Sequence, residues 1–292
     1  MRSKEFYEGF MEIAFEEAKI SLKEGNKGFG VVIVKNDKIL AQSHDTEITD
    51  NDPTAHAEIN CIKEVTKIIG RELEDCILIS THEPCPMCMT AIIWSKIPEL
   101  VYGVSIEDSL KEGRKLINIT SKEIQSRSKA NIIINEGILK EKCSKLYNTK
   151  IREYIKQLTK TTPDDWKKYG KELLEKRKKW FIEHKSQIDK LNGSDIEKAY
   201  KLLIMKLEIN EEEIPIVKKT ENKLVFHSKN FCPSLEACKI LNLDTKIICK
   251  KIFEEPTNKF IKMINPKLEF ARNYNFIRPY SKYCEEVIIL HD

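Results

Sequence analysis

Hydrophobic and polar positions follow helical and strand periodicity in turn through the first half of the chain. Apolar residues recur every three or four positions over residues 3–24, which predicts an amphipathic helix. Short aliphatic and β-branched runs predict strands that alternate with further helical patterns. The predicted strands are 30–35, 39–42, 76–81, 99–104 and 131–134. The further predicted helices are 54–69 and 85–96, which lie between strands, and 139–158, which follows the last strand. This alternation indicates an α/β layer structure.

A polar segment containing proline separates this pattern from the rest of the chain. It spans residues 159–165 (TKTTPDD), and we therefore expect two domains, 1–158 and 163–292. The second domain mixes helical and strand patterns, which predicts a smaller α+β fold. Its predicted helices are 165–190, 195–208 and 233–241, and its predicted strands are 223–227 and 286–290.

Composition limits the class of protein. The chain has 292 residues, of which 41% are hydrophobic, enough apolar material for a packed core. No apolar run reaches the roughly 18–20 residues of a membrane span, and the charged N-terminus has no signal-peptide core. The nine cysteines are irregularly spaced, which favours a reducing compartment over a disulfide framework. We expect a cytoplasmic protein without a membrane partner.

One pair of motifs points to a specific chemistry. His56 and Glu58 form a His-x-Glu motif, and Cys85 and Cys88 follow in Pro-Cys-x-x-Cys. Hydrolytic nucleobase deaminases carry this signature: the histidine and both cysteines bind Zn²⁺, and the glutamate moves protons. Two thiolates and one imidazole leave a fourth tetrahedral position open, which is typical of catalytic zinc. Alone, the histidine would be read as structural and the cysteine pair as a redox motif or half of a zinc ribbon.

The chain resembles the cytidine deaminase-like superfamily, in its free-base and tRNA adenosine deaminase branch. The resemblance covers residues 5–157 and is carried by GFGVVIVKNDKILAQSHD, NDPTAHAEI and THEPCPMCMTAIIWSKIPELVYGVS. It implies a three-layer α/β/α domain with a mixed five-stranded sheet, commonly in a homodimer. It also implies Zn²⁺ as the cofactor, with Glu58 as the catalytic residue.

The same resemblance suggests substrate contacts. The sequence Ala-Ile-Ile-Trp ending at Trp94 resembles the bacterial guanine deaminases, although this aromatic side chain also suits a helix core. Asp45 stands where the branch usually has a substrate-binding Asn, and its other interpretation is a loop cap. An ionised Asp only accepts hydrogen bonds, so it would prefer a ring face rich in N–H groups. The expected substrate-binding residues are Asp45, Ala57, Trp94 and Phe29.

One further segment departs from the guanine deaminases. Residues 113–116 read Gly-Arg-Lys-Leu, where those enzymes carry Gly-Phe-Asp-Asp. The sequence therefore predicts a zinc-dependent hydrolytic deaminase of a small amino-substituted heterocycle, guanine-like but not specifically guanine. One alternative is a tRNA adenosine-editing deaminase whose basic C-terminal domain binds tRNA, although Trp94 and the scarcity of arginine make tRNA the weaker choice. Another is a ligand-sensing protein on the deaminase fold.

The second domain contains a further group of cysteines without a clear assignment. The segment around Cys232 and the late Cys284 show a limited resemblance to L-2-amino-thiazoline-4-carboxylate hydrolase-type domains, from which no residue role is transferred. With Cys238 and Cys249 they are also candidates for a second metal or iron–sulfur site. The simplest interpretation is that they are small buried hydrophobic residues. The lysine-rich helix at 167–185 is interpreted as a solvated face rather than a phosphate-binding surface.

Overall fold

The computed structural model describes residues 2–159 and 162–292. The chain divides into two compact units, Met1–Thr159 and Lys160–Asp292. Part of the expected linker, residues 160 and 161, lies outside the described residues. No helix within the described ranges is both long and apolar enough to cross a membrane.

The first unit alternates strands and helices, as its sequence pattern predicts. Its strands are β1 (Gly30–Lys35), β2 (Lys38–His44), β3 (Cys76–His82), β4 (Glu99–Val104) and β5 (Ile133–Glu136). Its helices are α1 (Lys4–Glu24), α2 (Ala57–Ile69), α3 (Pro86–Trp94), α4 (Ile106–Lys111), α5 (Ser121–Ser126), α6 (Lys140–Tyr147) and α7 (Thr149–Thr159).

The five strands form one mixed sheet in the order β2-β1-β3-β4-β5. Strand β1 is antiparallel to both of its neighbours, whereas β3, β4 and β5 run parallel. The expected mixed five-stranded sheet is therefore confirmed. Because β3 and β4 are parallel, the chain segments that follow them emerge at the same edge of the sheet.

Helices cover both faces of this sheet, because successive strand residues point to opposite sides. On one face Val31, Ile33 and Leu78 pack against α2 and α3, where Cys61 and Met89 are fully buried. On the other face α1 packs against β1 and β3, and α6 packs against β4. The unit has the three layers that the sequence predicts.

Two differences from the sequence prediction concern the segments after β4. The short helices α4 and α5 were not predicted, and they begin at the capping residues Ser105 and Thr120, whose hydroxyl oxygens accept backbone N–H bonds. The helix predicted over 139–158 is two helices, because Asn148 adopts an extended conformation between α6 and α7.

The second unit contains a separate antiparallel sheet in the order β6-β7-β9-β8. Its strands are β6 (Ile216–Lys219), β7 (Lys223–Ser228), β8 (Leu268–Asn273) and β9 (Cys284–Leu290). Its helices are α8 (Pro163–Glu183), α9 (Lys185–Ile188), α10 (Asp195–Leu207), α11 (Pro233–Leu241), α12 (Thr245–Ile248) and α13 (Glu255–Ile261). A π-helical turn, Cys249–Glu254, joins the last two.

The core of this second unit lies between its sheet and α10 and α13. Tyr200 and Leu203 of α10 pack with Phe226, Phe260 and Ile288 in one buried cluster. This arrangement confirms the second, smaller α+β fold. The prediction of a single helix over 165–190 is wrong in one detail. Helix α8 ends at Glu183, and the short helix α9 begins after His184.

Candidate active site

Two helix N-termini present the motif residues to each other. His56 is the residue immediately before α2, and Cys85 is the residue immediately before α3. Both have extended backbone conformations, and neither side chain caps its own helix, so both side chains are available to a ligand. Pro86 occupies the first turn of α3, where a missing N–H costs nothing. Cys88 lies one turn further along the same helix and faces the same way.

The three side chains form a compact triangle of donor atoms. His56 Nδ1 lies 3.6 Å from Cys85 Sγ and 3.4 Å from Cys88 Sγ, and the two sulfurs are 3.6 Å apart. With Zn–S near 2.3 Å and Zn–N near 2.0 Å, a tetrahedral ion places two sulfurs about 3.8 Å apart and sulfur and nitrogen about 3.5 Å apart. The observed edges fit zinc, and the donor set is the borderline-soft one that zinc prefers.

The protonation of the two thiols is strongly coupled. The hydrogen bond between the sulfurs lowers the pKa of Cys85 to about 4 and raises the pKa of Cys88, and His56 acts on Cys85 in the lowering direction. Hydrogen bonding to Cys85 raises the pKa of His56. The cluster therefore favours negative charge on Cys85 and stabilises the protonated form of the His56 imidazole. A divalent metal replaces those protons when it binds.

Glu58 lies beside this triangle on the first turn of α2. Its side chain is only 5% exposed. Burial raises the pKa of the Glu58 carboxyl to about 7, and the charge of Cys85 acts in the same direction. A carboxyl group that titrates near neutral pH is suited to accept a proton and to return it within one reaction cycle.

A cavity of about 160 Å³ opens onto these residues. Phe29, His56, Glu58 and Cys85 contribute to its lining, as the sequence analysis expects for a substrate site. The remaining lining residues are Lys27, His82, Glu83, Ile106, Arg114, Lys115, Leu116 and Ile117. The site therefore combines the metal-binding triangle, a buried carboxyl group and a small cavity.

His82 and Arg114 are lining residues that sequence reasoning missed. His82 is 3% exposed, and burial lowers its pKa to about 4, so its imidazole is neutral. Its ring nitrogens contact the Glu83 carbonyl oxygen at 2.8 Å and Ser109 Oγ at 2.7 Å. Burial lowers the pKa of Arg114 to about 10, with Arg152 acting in the same direction, and the guanidinium stays charged at neutral pH.

Glu83 joins two loops to the site. One carboxylate oxygen accepts the Ile106 N–H at 2.8 Å, and the other accepts the Ser121 N–H at 2.7 Å. Ser121 also donates from Oγ to the Pro84 carbonyl oxygen at 3.3 Å. These bonds position both ends of the segment that carries Arg114. The sequence offered one indication that Glu83 belongs to the site, which is its position immediately before the Pro84-Cys85 motif.

Two residues predicted to contact substrate lie away from the cavity lining. Asp45 is 1% exposed, and its carboxylate accepts hydrogen bonds from Ser21 Oγ at 2.5 Å and from the amides of Lys27 and Phe29 at 2.9 Å. It positions the loop before β1, which matches the loop-cap alternative. Trp94 is 73% exposed at the end of α3, so it is not a core residue either.

Ala57 also lies away from the cavity lining. Its side chain is fully buried in the core beneath α2. It separates His56 from Glu58 and anchors the first turn that presents both. Phe29 is the one expected substrate-binding residue that the structure brings to the cavity, and its ring stacks on Tyr147 with centroids 5.3 Å apart.

The cysteines of the second unit do not form a comparable triangle. Within the described ranges, His56, Cys85 and Cys88 are the one group of His, Cys, Asp or Glu residues whose ligand atoms all lie within 4.8 Å of one another. Cys238 is buried, and burial raises its pKa to about 12. Cys232, Cys249 and Cys284 are only partly buried. The interpretation as a small buried hydrophobic residue therefore suits Cys238, and the described residues give no support to a second metal site.

A three-layer α/β/α unit with this donor triangle and buried glutamate defines a class: the zinc-dependent deaminase domains. The chain belongs to the family described as the cytidine and deoxycytidylate deaminase zinc-binding region, which matches residues 4–104. Zinc binding and hydrolytic deamination are the properties that this membership supports.

Individual relatives in this family differ in substrate. Guanine deaminase of Bacillus subtilis is 39% identical over 109 residues, which are 37% of this chain and 70% of that protein. A tRNA-specific adenosine deaminase of Bacillus subtilis is 32% identical over 149 residues, covering 51% of this chain and 90% of that protein. A probable cytosine deaminase of Schizosaccharomyces pombe is 36% identical over 118 residues, covering 39% of this chain and 72% of that protein.

Proposed function

We propose that this chain is a zinc-dependent hydrolase that removes an amino group from a small heterocycle and releases ammonia. The observation that carries the proposal is the donor triangle of His56, Cys85 and Cys88 with edges of 3.4–3.6 Å, beside the buried carboxyl group of Glu58. A redox dithiol would need no such carboxyl group. A structural zinc site would have four protein ligands and no cavity.

In this proposal His56, Cys85 and Cys88 hold the zinc ion. When bound, zinc supplies Lewis acidity that makes a water molecule nucleophilic near neutral pH. The Lys27–Glu47 ion pair lies on the other side of the imidazole, with Glu47 Oε2 3.6 Å from His56 Nε2. The negative charge of Glu47 acts on the imidazole at this distance and increases its basicity.

Glu58 moves the protons. Hydrolytic deamination forms a C–O bond at the ring carbon that carries the amino group and breaks the C–N bond at that carbon. Glu58 accepts one proton from the attacking water and donates it to the adjacent ring nitrogen. It then passes the proton of the new hydroxyl group to the departing amine, so that ammonia leaves and the ring carbon becomes a carbonyl. The raised pKa of Glu58 suits both directions of transfer.

The cavity supports a small ring as the substrate. Its volume of about 160 Å³ is well below the roughly 300–1,000 Å³ of pockets for drug-sized ligands. Phe29 contributes an aromatic ring to the lining and His82 a neutral imidazole, and such flat, uncharged rings suit a planar base. A guanine-like purine or a related amino-substituted base fits this description. A homodimer and a cytoplasmic location remain predictions.

A tRNA substrate is the second candidate, and the 32% identity to a tRNA-specific adenosine deaminase over 90% of that protein favours it. The test is to incubate the zinc-loaded full chain with free bases, nucleosides, pterins and unmodified tRNA. Ammonia is measured for the small molecules and inosine for the tRNA. Turnover of a free base supports the proposal, whereas inosine formation alone favours the tRNA reaction. Zinc binding without any product contradicts both and favours a sensing role.

A further inference from the structure

Arg114 lines the cavity that contains Glu58, and part of its guanidinium group has no protein partner. Its Nη1 atom is buried and donates to no acceptor among the described residues. The guanidinium carbon lies 5.1 Å from the Phe29 ring centroid and 5.0 Å from the Tyr147 ring centroid. The two rings hold the charged group in place through cation–π contacts, and they leave the donors on Nη1 unused.

Three carboxylates around the cavity, those of Asp45, Glu47 and Glu83, already have other partners. Both oxygens of Glu83 accept backbone N–H groups, and both oxygens of Asp45 accept bonds from Ser21 and the loop before β1. Glu47 is paired with Lys27 at 2.5 Å. The positive charge of Arg114 is therefore not neutralised by a direct ion pair within the described ranges.

A second guanidinium increases the positive charge on this side of the cavity. Arg152 Nη1 donates to the Lys27 carbonyl oxygen at 2.6 Å and to the Leu146 carbonyl oxygen at 3.3 Å. Carbonyl oxygens satisfy its donors but do not neutralise its charge. Lys115 follows Arg114 directly and also lines the cavity.

A buried charged donor without a partner is energetically costly, and a ligand that supplies the partner recovers that cost on binding. The planar guanidinium matches carboxylate and phosphate oxygens in a bidentate geometry better than it matches a neutral acceptor. The small cavity requires such an oxyanion to be attached to the ring itself or close to it.

We propose that Arg114 determines substrate specificity by binding an oxyanion, such as a carboxylate, carried by the amino-substituted heterocycle. This inference rests on the proposed function, because it assigns the substrate class of the same site. The ring would lie against Phe29, with its amino-bearing carbon toward Glu58 and its oxyanion toward Arg114. An acidic heterocycle would therefore be preferred over its neutral parent.

The experiment compares matched neutral and anionic compounds with the zinc-loaded full chain. The pairs are cytosine and 5-carboxycytosine, pterin and pterin-6-carboxylate, and cytidine and cytidine 5′-monophosphate. We expect kcat/KM to be at least tenfold higher for the carboxylated base than for its parent. A preference confined to the nucleotide pair would identify a phosphate as the oxyanion and would require the ribose to extend out of the cavity.

The variants Arg114→Gln and Arg114→Lys test the role of the side chain. Arg114→Gln should reduce the ratio of anionic to neutral kcat/KM at least tenfold, mainly through KM, and Arg114→Lys should retain part of the preference. Arg127→Gln is the matched control, because Arg127 is exposed and does not line the cavity. If Arg114→Gln fails to fold, the wild-type preference and Arg114→Lys decide the question.

Equilibrium binding of the same compounds separates this inference from the proposed function. Tighter binding of the carboxylated compound that is lost in Arg114→Gln would support the inference even if no ammonia were released. Equal binding of both members of each pair, or an equal loss for both in Arg114→Gln, would overturn it. Ammonia release from neutral bases alone would leave the deaminase proposal intact and would contradict the specificity role of Arg114.

Discussion

Glu47 Oε2 lies 3.6 Å from His56 Nε2, on the ring nitrogen opposite the one that faces the two cysteine sulfurs. The same carboxylate oxygen pairs with Lys27 Nζ at 2.5 Å. Glu47 thus lies between the His56 imidazole and Lys27, which is a residue of the cavity lining. Nδ1, at 3.4–3.6 Å from the two sulfurs, is the nitrogen of His56 that faces the proposed metal site.

Replacing Glu47 should weaken zinc binding without removing a ligand. Glu47→Gln removes the negative charge behind the imidazole, and loss of such a partner typically costs about 10- to 100-fold in metal affinity. Competition with a chromogenic chelator measures the affinity. Glu64→Gln is the control, because Glu64 is exposed on α2. An unchanged affinity in Glu47→Gln would show that Glu47 serves only the ion pair with Lys27.

Replacing Glu83 should disturb the cavity while the zinc ligands stay in place. Glu83→Gln keeps one acceptor oxygen but leaves one of the buried amides of Ile106 and Ser121 without its partner. The expected loss is about 1–3 kcal/mol in the free energy of unfolding. Zinc content should stay at the wild-type value, and activity should fall. Chemical denaturation and metal analysis test both points, and a wild-type stability would argue against this role.

The stability of the first unit should depend on the protonation of His44. Its Nδ1 lies 2.7 Å from Glu17 and its Nε2 3.0 Å from Glu24, and the hydrogen bond to Glu17 raises the pKa of His44. When folding raises the pKa of a group, its protonated form stabilises the folded state. That stabilisation is complete below the unfolded-state pKa, near 6.5, and is lost as the pH rises through the folded-state pKa. The destabilisation caused by His44→Gln should therefore be larger at about pH 5.5 than at about pH 9.

Urea denaturation of wild type and His44→Gln at both pH values measures this dependence. The zinc site is common to both proteins, so its own pH dependence cancels in the difference. A difference in the free energy of unfolding that is constant with pH would contradict the assignment.

Close packing between β1 and α1 predicts opposite effects for two glycines. A Cβ at Gly30 would lie 2.0 Å from the Ala14 carbonyl oxygen and 2.5 Å from the Ala18 nitrogen. Gly30→Ala should therefore lower the free energy of unfolding by about 3 kcal/mol. A Cβ at Gly9 meets nothing within 4 Å, so Gly9→Ala should raise it by about 0.5–1 kcal/mol through helix propensity. Thermal unfolding of both variants tests the contrast.

The sequence predicted the core of the first unit because its strands are long apolar runs. β1 and β4 match their predicted bounds, and the donor triangle follows from motif spacing once α2 and α3 meet at their N-termini. The cavity wall between β4 and β5 was not predicted. Helices α4 and α5 have six residues each, which is too short for a helical repeat of hydrophobic positions to be recognised. Their capping residues, Ser105 and Thr120, were the features from which they could have been predicted.

Substrate contacts were harder to predict because they depend on side-chain direction. Asp45 was predicted to contact substrate, but sequence spacing does not show that Ser21 and the loop before β1 satisfy both of its oxygens. Arg114 belongs to an irregular segment with no pattern of its own. In the second unit β6 is exposed and lysine-containing, so it lacks the alternation that identifies a strand.

The most direct test of the central claim is ammonia release by the zinc-loaded full chain compared with its Glu58→Gln variant, with zinc measured in both. The account predicts that both proteins bind one zinc ion per chain. It also predicts that the variant loses at least a hundredfold in kcat, because the proton carrier is gone while the ligands remain. Equal turnover in the two proteins at equal zinc content would contradict the account.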